Sequence, residues 1–340
     1  MNVYIDKQNL VSYVHSMKDS RFEDCNSMLK KCCDINFTFT KYDLDQLDQE
    51  DDRFGKEALV QIKLWMSTMM QGCKGKVRWG INFPPRPLKT NMHNNFSHED
   101  LSAVYLLDDE KVITVKNMGS IIVDGPGGEL SALSQLIIND DNLYTKMFNP
   151  RELESWDILD AYISPATDII IVDRFLALDE SLYESNLYAL VEKLAIKSKC
   201  KLNYIIFSDD KDRASRVAIA PDWDNIRSKI KRKVKNITGY DPNVTFILKY
   251  KVEHDRTVFT NYKLFHSGDT CNYFNSKGEL ITKGRYLNID SIASKDCRKS
   301  CSSFIEDMQA VINDVIRINS DLIKGDKKSC FLKFEQPVQL

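Results

Sequence analysis

The sequence lacks any long hydrophobic run. No apolar stretch approaches the roughly 18 residues that a membrane-spanning helix requires, which excludes an integral membrane protein of the helical type. The opening residues MNVYIDKQNLVSYVHSM have no basic region followed by an apolar core, the pattern of a secretory signal. We therefore expect a cytoplasmic protein.

The sequence also lacks an excess of charge of either sign. Its 47 basic and 49 acidic residues leave a net charge of -2, so any binding to nucleic acid requires a local patch. The nine cysteines are an odd number scattered along 340 residues, which favours reduced thiols over a disulfide framework. Composition thus indicates a globular protein of one large domain or two ordinary ones.

Glycine-rich phosphate loops and metal-binding patterns are absent. The segment DGPGGEL has glycines but no following Gly-Lys-Ser/Thr, and no GxGxxG is present, so we predict a turn before a helix from Glu129 to Ile138. The acidic run YDLDQLDQEDD lacks the spaced Asp/Asn/Gly register of a calcium loop. We expect no metal site and no cofactor.

Hydrophobic periodicity predicts α/β structure in both halves of the chain. Apolar residues recur at helical spacing between Glu57 and Met70, and KVITVKNMGSIIVDGPGGEL is typical of two strands with turns. In the second half, DIIIVDRFLAL and KLNYIIFSDDKD predict buried strands on either side of a helix, a βαβ unit whose strands end at one edge. We predict two α/β domains, residues 1–155 and 156–340, with the boundary between Leu153 and Tyr162.

The segment DNIRSKIKRKVKNI predicts a basic amphipathic helix. Its apolar stripe (Ile226, Ile230 and Val234) favours an ordinary helix docked on the core, whereas its cations could neutralise phosphates of nucleic acid or of a membrane surface. Both interpretations are open. The six cations of this basic patch are Arg227, Lys229, Lys231, Arg232, Lys233 and Lys235.

A further motif lies in EHDRTVFTNYKLFHSGDTCNYF. Its spacing resembles the signature of the phospholipase D superfamily, H-x-K-x4-D-x6-G-S-x2-N. The corresponding residues are His254, Arg256, Asn261, Gly268, Asp269 and Asn272. The resemblance implies a histidine that attacks phosphorus, and a cation and an asparagine that hold the phosphoryl oxygens, here Arg256 and Asn272. In a domain that only binds phosphate, we expect Asn261 to be a third phosphate-binding residue beside Arg256 and Asn272.

Three departures from that signature argue against catalysis. Arginine replaces lysine at Arg256, asparagine replaces the carboxylate at Asn261, and Asp269 replaces serine. The superfamily also needs a second motif, and none of the four other histidines begins one. Only a homodimer would bring together two copies of His254, the candidate nucleophile if the protein is an enzyme.

The order of segments from about Thr167 to Ile292 is similar to the degenerate phospholipase D-like C-terminal domain of MIT domain-containing proteins. That resemblance implies a mixed sheet flanked by helices and a non-catalytic surface for acidic phospholipid headgroups. No three-helix MIT domain precedes it, and the N-terminal half is an uncharacterised α/β domain that could carry a protein partner.

Three functions follow as hypotheses. The first is a binding or sensor module for a phosphate-bearing ligand, a lipid headgroup or nucleic acid, which such an architecture would suit in a prokaryotic defence system. The second is a dimeric phosphodiesterase or nuclease using His254 from each chain. The third is a structural or interaction protein in which the His-Asp-Arg cluster only holds a sheet together.

Overall fold

The chain forms two compact α/β units in a computed structural model. The structure describes residues 1–48, 53–70, 77–81, 102–109, 111–112, 122–138, 143–209, 221–248, 256–268, 270–281 and 286–335. The N-terminal unit is Met1–Tyr144 with Ile292–Lys295, and the C-terminal unit is Thr145–Ser291 with Asp296–Leu340. The α/β prediction is confirmed. The division falls before Thr145, not at 155/156, because the strand that begins there joins the C-terminal sheet.

The N-terminal unit contains a five-stranded parallel sheet of order β3-β2-β1-β4-β5. Short apolar segments bounded by polar residues form these strands, as expected for a sheet buried on both faces. The strands are β1 (Asn2–Ile5), β2 (Asp34–Phe37), β3 (Val77–Arg78), β4 (Val104–Leu106) and β5 (Ile122–Asp124).

The described part of the same unit contains the helices α1 (Lys7–His15), α2 (Phe22–Cys32), α3 (Lys41–Asp45), α4 (Arg53–Met70) and α5 (Glu129–Ser134). Short 3-10 turns occupy Ser16–Lys18 and Gln46–Asp48. The predicted amphipathic helix lies within α4, where Ile62 and Trp65 are buried. Of the two strands predicted in KVITVKNMGSIIVD, the second contains β5, whereas Lys111 and Val112 are helical and 113–121 lie outside the described residues.

The C-terminal unit contains an eight-stranded mixed sheet of order β13-β9-β8-β7-β10-β11-β12-β6. Neighbours β7, β8 and β9 are parallel, and the remaining pairs are antiparallel. The predicted buried strands are β7 and β8. The strands are β6 (Thr145–Phe148), β7 (Asp168–Val172), β8 (Asn203–Ser208), β9 (Asn243–Leu248), β10 (Arg256–Thr260), β11 (Lys263–Ser267), β12 (Leu287–Ser291) and β13 (Ile323–Gly325).

Helices α6 (Ala189–Ala195), α7 (Trp223–Thr238) and α8 (Lys295–Asn319) complete the described part of the fold. A π-helical turn, Glu184–Tyr188, leads into α6, and 3-10 turns occupy Pro150–Glu152, Trp156–Ala161, Glu180–Leu182 and Ser320–Leu322. The core of this unit consists of isoleucine, valine and phenylalanine side chains from β7, β8 and β9, all fully buried or nearly so. None of the described helices is long and apolar enough to cross a membrane.

Candidate functional site

Charged side chains collect where β7 and β8 end. Asp173 and Arg174 follow β7, and Asp209 follows β8, so the parallel pairing of the two strands places these residues at one edge. The antiparallel strand β10 starts at the same edge, because Thr257 lies opposite Val172. We call Asp173, Arg174, Phe175, Asp209 and Arg256 the arginine edge.

Asp173 is the buried carboxylate of the arginine edge. It accepts hydrogen bonds from the backbone N–H of Phe175 at 2.9 Å and of Cys271 at 2.5 Å, and from the Thr270 hydroxyl at 2.9 Å. Burial raises the pKa of this carboxyl, although the hydrogen bonds and the Arg256 guanidinium oppose that rise. Arg256 Nε lies 3.9 Å from Asp173 Oδ1, so the pair is a buried ion pair.

Two guanidinium groups lie against one aromatic ring at this edge. The guanidinium carbons of Arg174 and Arg256 are 5.2 and 5.3 Å from the centroid of Phe175, within the range of cation–π attraction. The Arg256 side chain is only 4% exposed, whereas Arg174 is 28% exposed and is ion-paired with the buried Asp209. Among the described side chains of the edge, two carboxylates pair with two guanidinium groups, and Arg174 is the more accessible of the two cations.

Asn272, the last residue of the motif, lies beside the arginine edge. Its Nδ2 donates to the carbonyl of Phe175 at 3.1 Å, and no described group hydrogen-bonds its buried Oδ1. Asn272 and Arg256 therefore both contact Phe175, one through its carbonyl and the other over its ring. His254 and Asp269 lie outside the described residues.

Asn261 lies at the other end of the sheet. It follows the last residue of β10, and its Oδ1 accepts from the Thr167 backbone N–H at 2.7 Å and from the Asp168 N–H at 3.3 Å. The five residues of β10 separate it from the arginine edge by about 16 Å. The grouping of Asn261 with Arg256 in one phosphate site is therefore corrected: Asn261 is buried and anchors the turn between β10 and β11.

Three of the six cations of the basic patch on α7 are paired with neighbouring carboxylates. Lys231 contacts Asp326 at 2.7 Å, and Lys233 contacts Glu184 at 3.1 Å. Arg227 pairs with Asp224 on the same helix, and Lys229 lies 5.9 Å from the ring centroid of Tyr188. Two cations are well exposed, Arg232 and Lys235. With the stripe of Ile226, Ile230 and Val234 buried, the docked-helix interpretation describes α7 best.

A second polar edge, in the N-terminal unit, was missed by the sequence reasoning. Asp6 follows β1, and Asp108 lies two residues after β4. The strand order reverses between β1 and β4, and such switch points are where open parallel sheets bind ligands. We call Asp6, Asn9, Thr38, Asp108 and Lys111 the switch-point cluster.

The Asp6 carboxylate is the centre of the switch-point cluster. It accepts from the Thr38 hydroxyl, from the Asp108 backbone N–H at 2.8 Å and from Lys111 Nζ at 2.9 Å. Burial alone would raise the pKa of Asp6, but these hydrogen bonds together lower it. Burial and the nearby Asp6 carboxylate raise the pKa of Asp108.

Asn9 is an unusual member of the cluster. Its side chain is 0% exposed, and neither atom of its amide has a hydrogen-bond partner among the described residues. It is the third residue of α1, the helix whose N-cap is Asp6, and side chains in a helix tilt toward its start. A signal existed in the sequence, since the apolar segments NVYID, VYLLDD and IIVD all end in aspartate.

The described ranges contain no group of three or more His, Cys, Asp or Glu side chains arranged to hold a metal ion. At the switch-point cluster the Lys111 ammonium contacts both Asp6, at 2.9 Å, and Asp108, at 3.5 Å. One side-chain cation therefore bridges two carboxylates there.

Comparisons with known proteins identify no family. No family model matches the chain, and no curated protein matches it. Among solved structures, the chain is similar to the 6-hydroxypseudooxynicotine amine oxidase of Pseudomonas geniculata N1, at 12% identity and a TM-score of 0.16. The match covers 76% of this chain and 32% of the oxidase, so the chain spans about a third of its length. A likeness this weak carries no argument about fold or function.

Proposed function

We propose that the protein is a non-catalytic binding module whose C-terminal unit holds a phosphate-bearing ligand at the arginine edge. One observation carries the proposal: two guanidinium groups lie on Phe175 at the carboxyl edge of parallel strands, and one of them, Arg174, is partly exposed. Arginine matches the geometry of a phosphate through paired N–H donors.

The surrounding charges set the strength of such binding. Asp209 already pairs with Arg174, and Asp173 pairs with Arg256, so an incoming phosphate competes with carboxylates for the guanidinium groups. We expect moderate affinity that weakens with salt. Arg256 is buried and supports the edge from within, whereas Arg174 makes the contact.

The test compares two arginine variants of the full chain. Arg174→Ala removes the proposed contact, and Arg317→Ala removes an exposed arginine in a simple helix pair with Asp314. The probes are vesicles containing phosphatidylserine or a phosphoinositide, and a single-stranded oligonucleotide. A charged hydrogen bond contributes about 1.5–3 kcal/mol, so we expect Arg174→Ala to weaken binding roughly 10- to 100-fold.

The outcomes separate the ligand sources and the alternatives. Binding to vesicles alone indicates a lipid headgroup, and binding to the oligonucleotide alone indicates nucleic acid. Equal binding by wild type and Arg174→Ala rejects the arginine edge as the site. Hydrolysis of either probe that His254→Ala abolishes would instead favour the dimeric phosphodiesterase hypothesis.

A second candidate function belongs to the N-terminal unit. We propose that the switch-point cluster holds a divalent cation that positions a phosphorylated ligand. The observation that favours it is the Lys111 ammonium bridging Asp6 and Asp108 at the switch point of the sheet. The Asp6 and Asp108 carboxylates fit Mg²⁺, which one or two carboxylates plus water can bind.

Lys111 provides the discriminating variant for this candidate. The ammonium competes with a cation for the two carboxylates, so Lys111→Met should tighten Mg²⁺ or Mn²⁺ binding while Asp6→Asn should abolish it. Asp45→Asn, an exposed carboxylate on α3, is the control. Calorimetric titration with each metal measures the affinities, and metal binding that survives Asp6→Asn rejects the candidate.

A further inference from the structure

An open groove lies on the surface of the C-terminal unit. Its volume is about 400 Å³, within the range of roughly 300–1,000 Å³ that ligand pockets occupy. Side chains from the 3-10 turn Trp156–Ala161, from α6, from the end of α7 and from residues 274–278 line it. We call this surface the α6 groove, and its apolar lining side chains are Trp156, Ala189, Ile196, Ile237 and Phe274.

The floor of the α6 groove is aromatic and already in place. Trp156 and Phe274 are 6% and 3% exposed, and their rings meet edge to face with their centroids 5.7 Å apart. The indole N–H of Trp156 donates a hydrogen bond to the Ser185 carbonyl at 3.0 Å. Because packing and this hydrogen bond hold the floor, an incoming ligand needs to reorder little of it.

The walls of the α6 groove are apolar and open to solvent. Ile196, which follows α6, is 46% exposed, and Ile237, in the last turn of α7, is 42% exposed. A groove with such exposed walls does not enclose a small molecule, whereas a pocket normally buries most of its ligand. A side chain presented by a larger partner is covered on its outer side by the partner's own surface. The walls therefore suit a protein ligand.

The accessible charge along the α6 groove is negative. Asp157 and Glu192 line it with side chains that are 78% and 31% exposed, whereas the lining Lys193 is 13% exposed. The Lys193 ammonium is already shared between Asp157 at 2.8 Å and Asp160 at 2.7 Å. The carboxylates are therefore the charged groups that a ligand meets first.

A second lysine beside the groove is shared in the same way. Lys233 Nζ lies 3.4 Å from Glu192 and 3.1 Å from Glu184. Because each of the two lysines contacts two carboxylates, one negative charge per lysine is in excess within these ion pairs. Ile237 also lies at the C-terminal end of the 16-residue helix α7, where the helix dipole favours a positive charge. An occupant with a cation beside its apolar part is complementary to these charges.

We propose that the α6 groove docks a peptide segment of another protein in which a large apolar side chain is flanked by lysine or arginine. The apolar side chain lies on Trp156 and Phe274, and the basic side chain pairs with Asp157 or Glu192 at the rim. This arrangement has the usual anatomy of a protein interface, an apolar centre within a polar rim. The site is independent of phosphate binding, since no residue of the arginine edge lines the groove.

The first experiment probes the full-length protein against an array of short synthetic peptides. Each peptide carries one leucine, isoleucine, phenylalanine or tryptophan flanked by lysine, arginine, serine or glutamate. We expect binding to be strongest for the peptides flanked by lysine or arginine and weakest for those flanked by glutamate. The strongest binder is then the probe peptide, and fluorescence anisotropy measures its Kd.

The apolar walls are tested with a matched control. The double variant Ile196→Ser, Ile237→Ser should weaken binding of the probe peptide by about tenfold or more, because apolar contacts at the centre of an interface contribute most of its affinity. Ile318→Ser, at a 72% exposed isoleucine on α8, should leave the Kd unchanged. All three side chains are exposed, so circular dichroism should show the same fold for each protein.

The charged rim is tested separately. Asp157→Asn should weaken binding about two- to fivefold at low salt and less at high salt, as expected for an exposed charge pair. Lys193 keeps its contact with Asp160 in this variant. Asp224→Asn, an exposed carboxylate paired with Arg227 on α7, is the matched control and should change neither value. Arg174→Ala should also leave the Kd unchanged, which separates this site from the arginine edge.

Photo-crosslinking locates the bound peptide directly. A benzophenone side chain replaces the apolar residue of the probe peptide, and digestion with mass spectrometry identifies the attached segment of the protein. We expect crosslinks to residues 185–196, to Ile237 or to residues 274–278, which line the groove.

Four results would overturn the proposal. These are an array without any binder, a preference for glutamate-flanked peptides, crosslinks only outside the groove, and equal loss of affinity in Ile318→Ser and in the double variant. Sedimentation tests the remaining occupant. If the wild type is a dimer and the double variant is a monomer, a second copy of this chain fills the groove and the peptide proposal is wrong.

Discussion

Single residues at the arginine edge show what motif spacing can and cannot predict. Arg256 and Asn272 both contact Phe175 at the carboxyl edge, whereas Asn261 lies at the far end of β10. The motif counts residues along the chain. Spacing does not say whether a residue lies at the start or at the end of a strand. Here the antiparallel pairing of β10 with β7 decides which motif residues lie at the arginine edge.

Arg256 is expected to stabilise the fold through Asp173. Arg256→Met leaves the fully buried Asp173 carboxylate without its cation, which should lower the free energy of unfolding by roughly 3–5 kcal/mol. Urea denaturation at neutral pH measures the change. Adding Asp173→Asn to this variant should recover part of the loss, and Arg317→Ala should stay within about 1 kcal/mol of wild type. If Arg256→Met lowers the free energy of unfolding by no more than Arg317→Ala does, the buried pair does not stabilise the fold.

Lys263 predicts an unusual pH dependence of stability. Burial lowers its folded-state pKa to about 7, below the unfolded value of about 10.4, so between these pH values the unfolded chain binds a proton that the native state does not. Stability should therefore rise from pH 7 toward pH 10 through this group. Lys263→Met should remove that rise and stabilise the protein at pH 7 by several kcal/mol, at about 1.4 kcal/mol per pKa unit. Urea denaturation measures the free energy of unfolding of wild type and Lys263→Met across this pH range. If the two stability profiles run parallel, Lys263 is not the source of the pH dependence.

At the scale of elements, periodicity predicts which segments are helical but not which charges are paired. The stripe of α7 could be predicted because burial recurs every three to four residues. The partner of Lys231 could not, since Asp326 follows β13, far along the chain. The same limit hid the switch-point cluster, because Asp6 after β1 and Asp108 after β4 come together only through the pairing of these two strands.

The pairing on α7 predicts unequal effects of two similar lysines. Lys231 is half-buried and contacts Asp326 at 2.7 Å, and that carboxylate also accepts the backbone N–H of Val244 in β9. Lys231→Ala should therefore destabilise the protein by about 1 kcal/mol, whereas the exposed Lys235→Ala should change it by less than about 0.5 kcal/mol. Thermal unfolding of both variants at low and high salt measures the difference. Equal effects would show that the Asp326 contact contributes nothing.

At the scale of the whole molecule, hydrophobic runs were enough to predict two α/β units. They were not enough to place the division between them. Thr145–Phe148 is a short edge strand with one buried ring, Phe148, and its membership in the C-terminal sheet comes from pairing with β12, more than 130 residues later. A segment of four residues with so little periodicity gives no signal of its own.

The position of β6 in the C-terminal sheet predicts which fragment of the chain is the more stable. A fragment starting at Thr145 keeps the four residue pairs between β6 and β12 and the 2.7 Å hydrogen bond from Thr145 to Asp290, whereas one starting at residue 156 loses both. The fragment that starts at residue 156 also loses the buried Phe148 side chain, which typically lowers the free energy of unfolding by about 3 kcal/mol or more. Fragment 145–340 should therefore unfold cooperatively and at higher urea than fragment 156–340. Phe148→Ala in the longer fragment is the matched control and should account for most of the difference, because the ring is the main apolar contribution of β6. Identical urea midpoints for the two fragments would place the division after β6 instead.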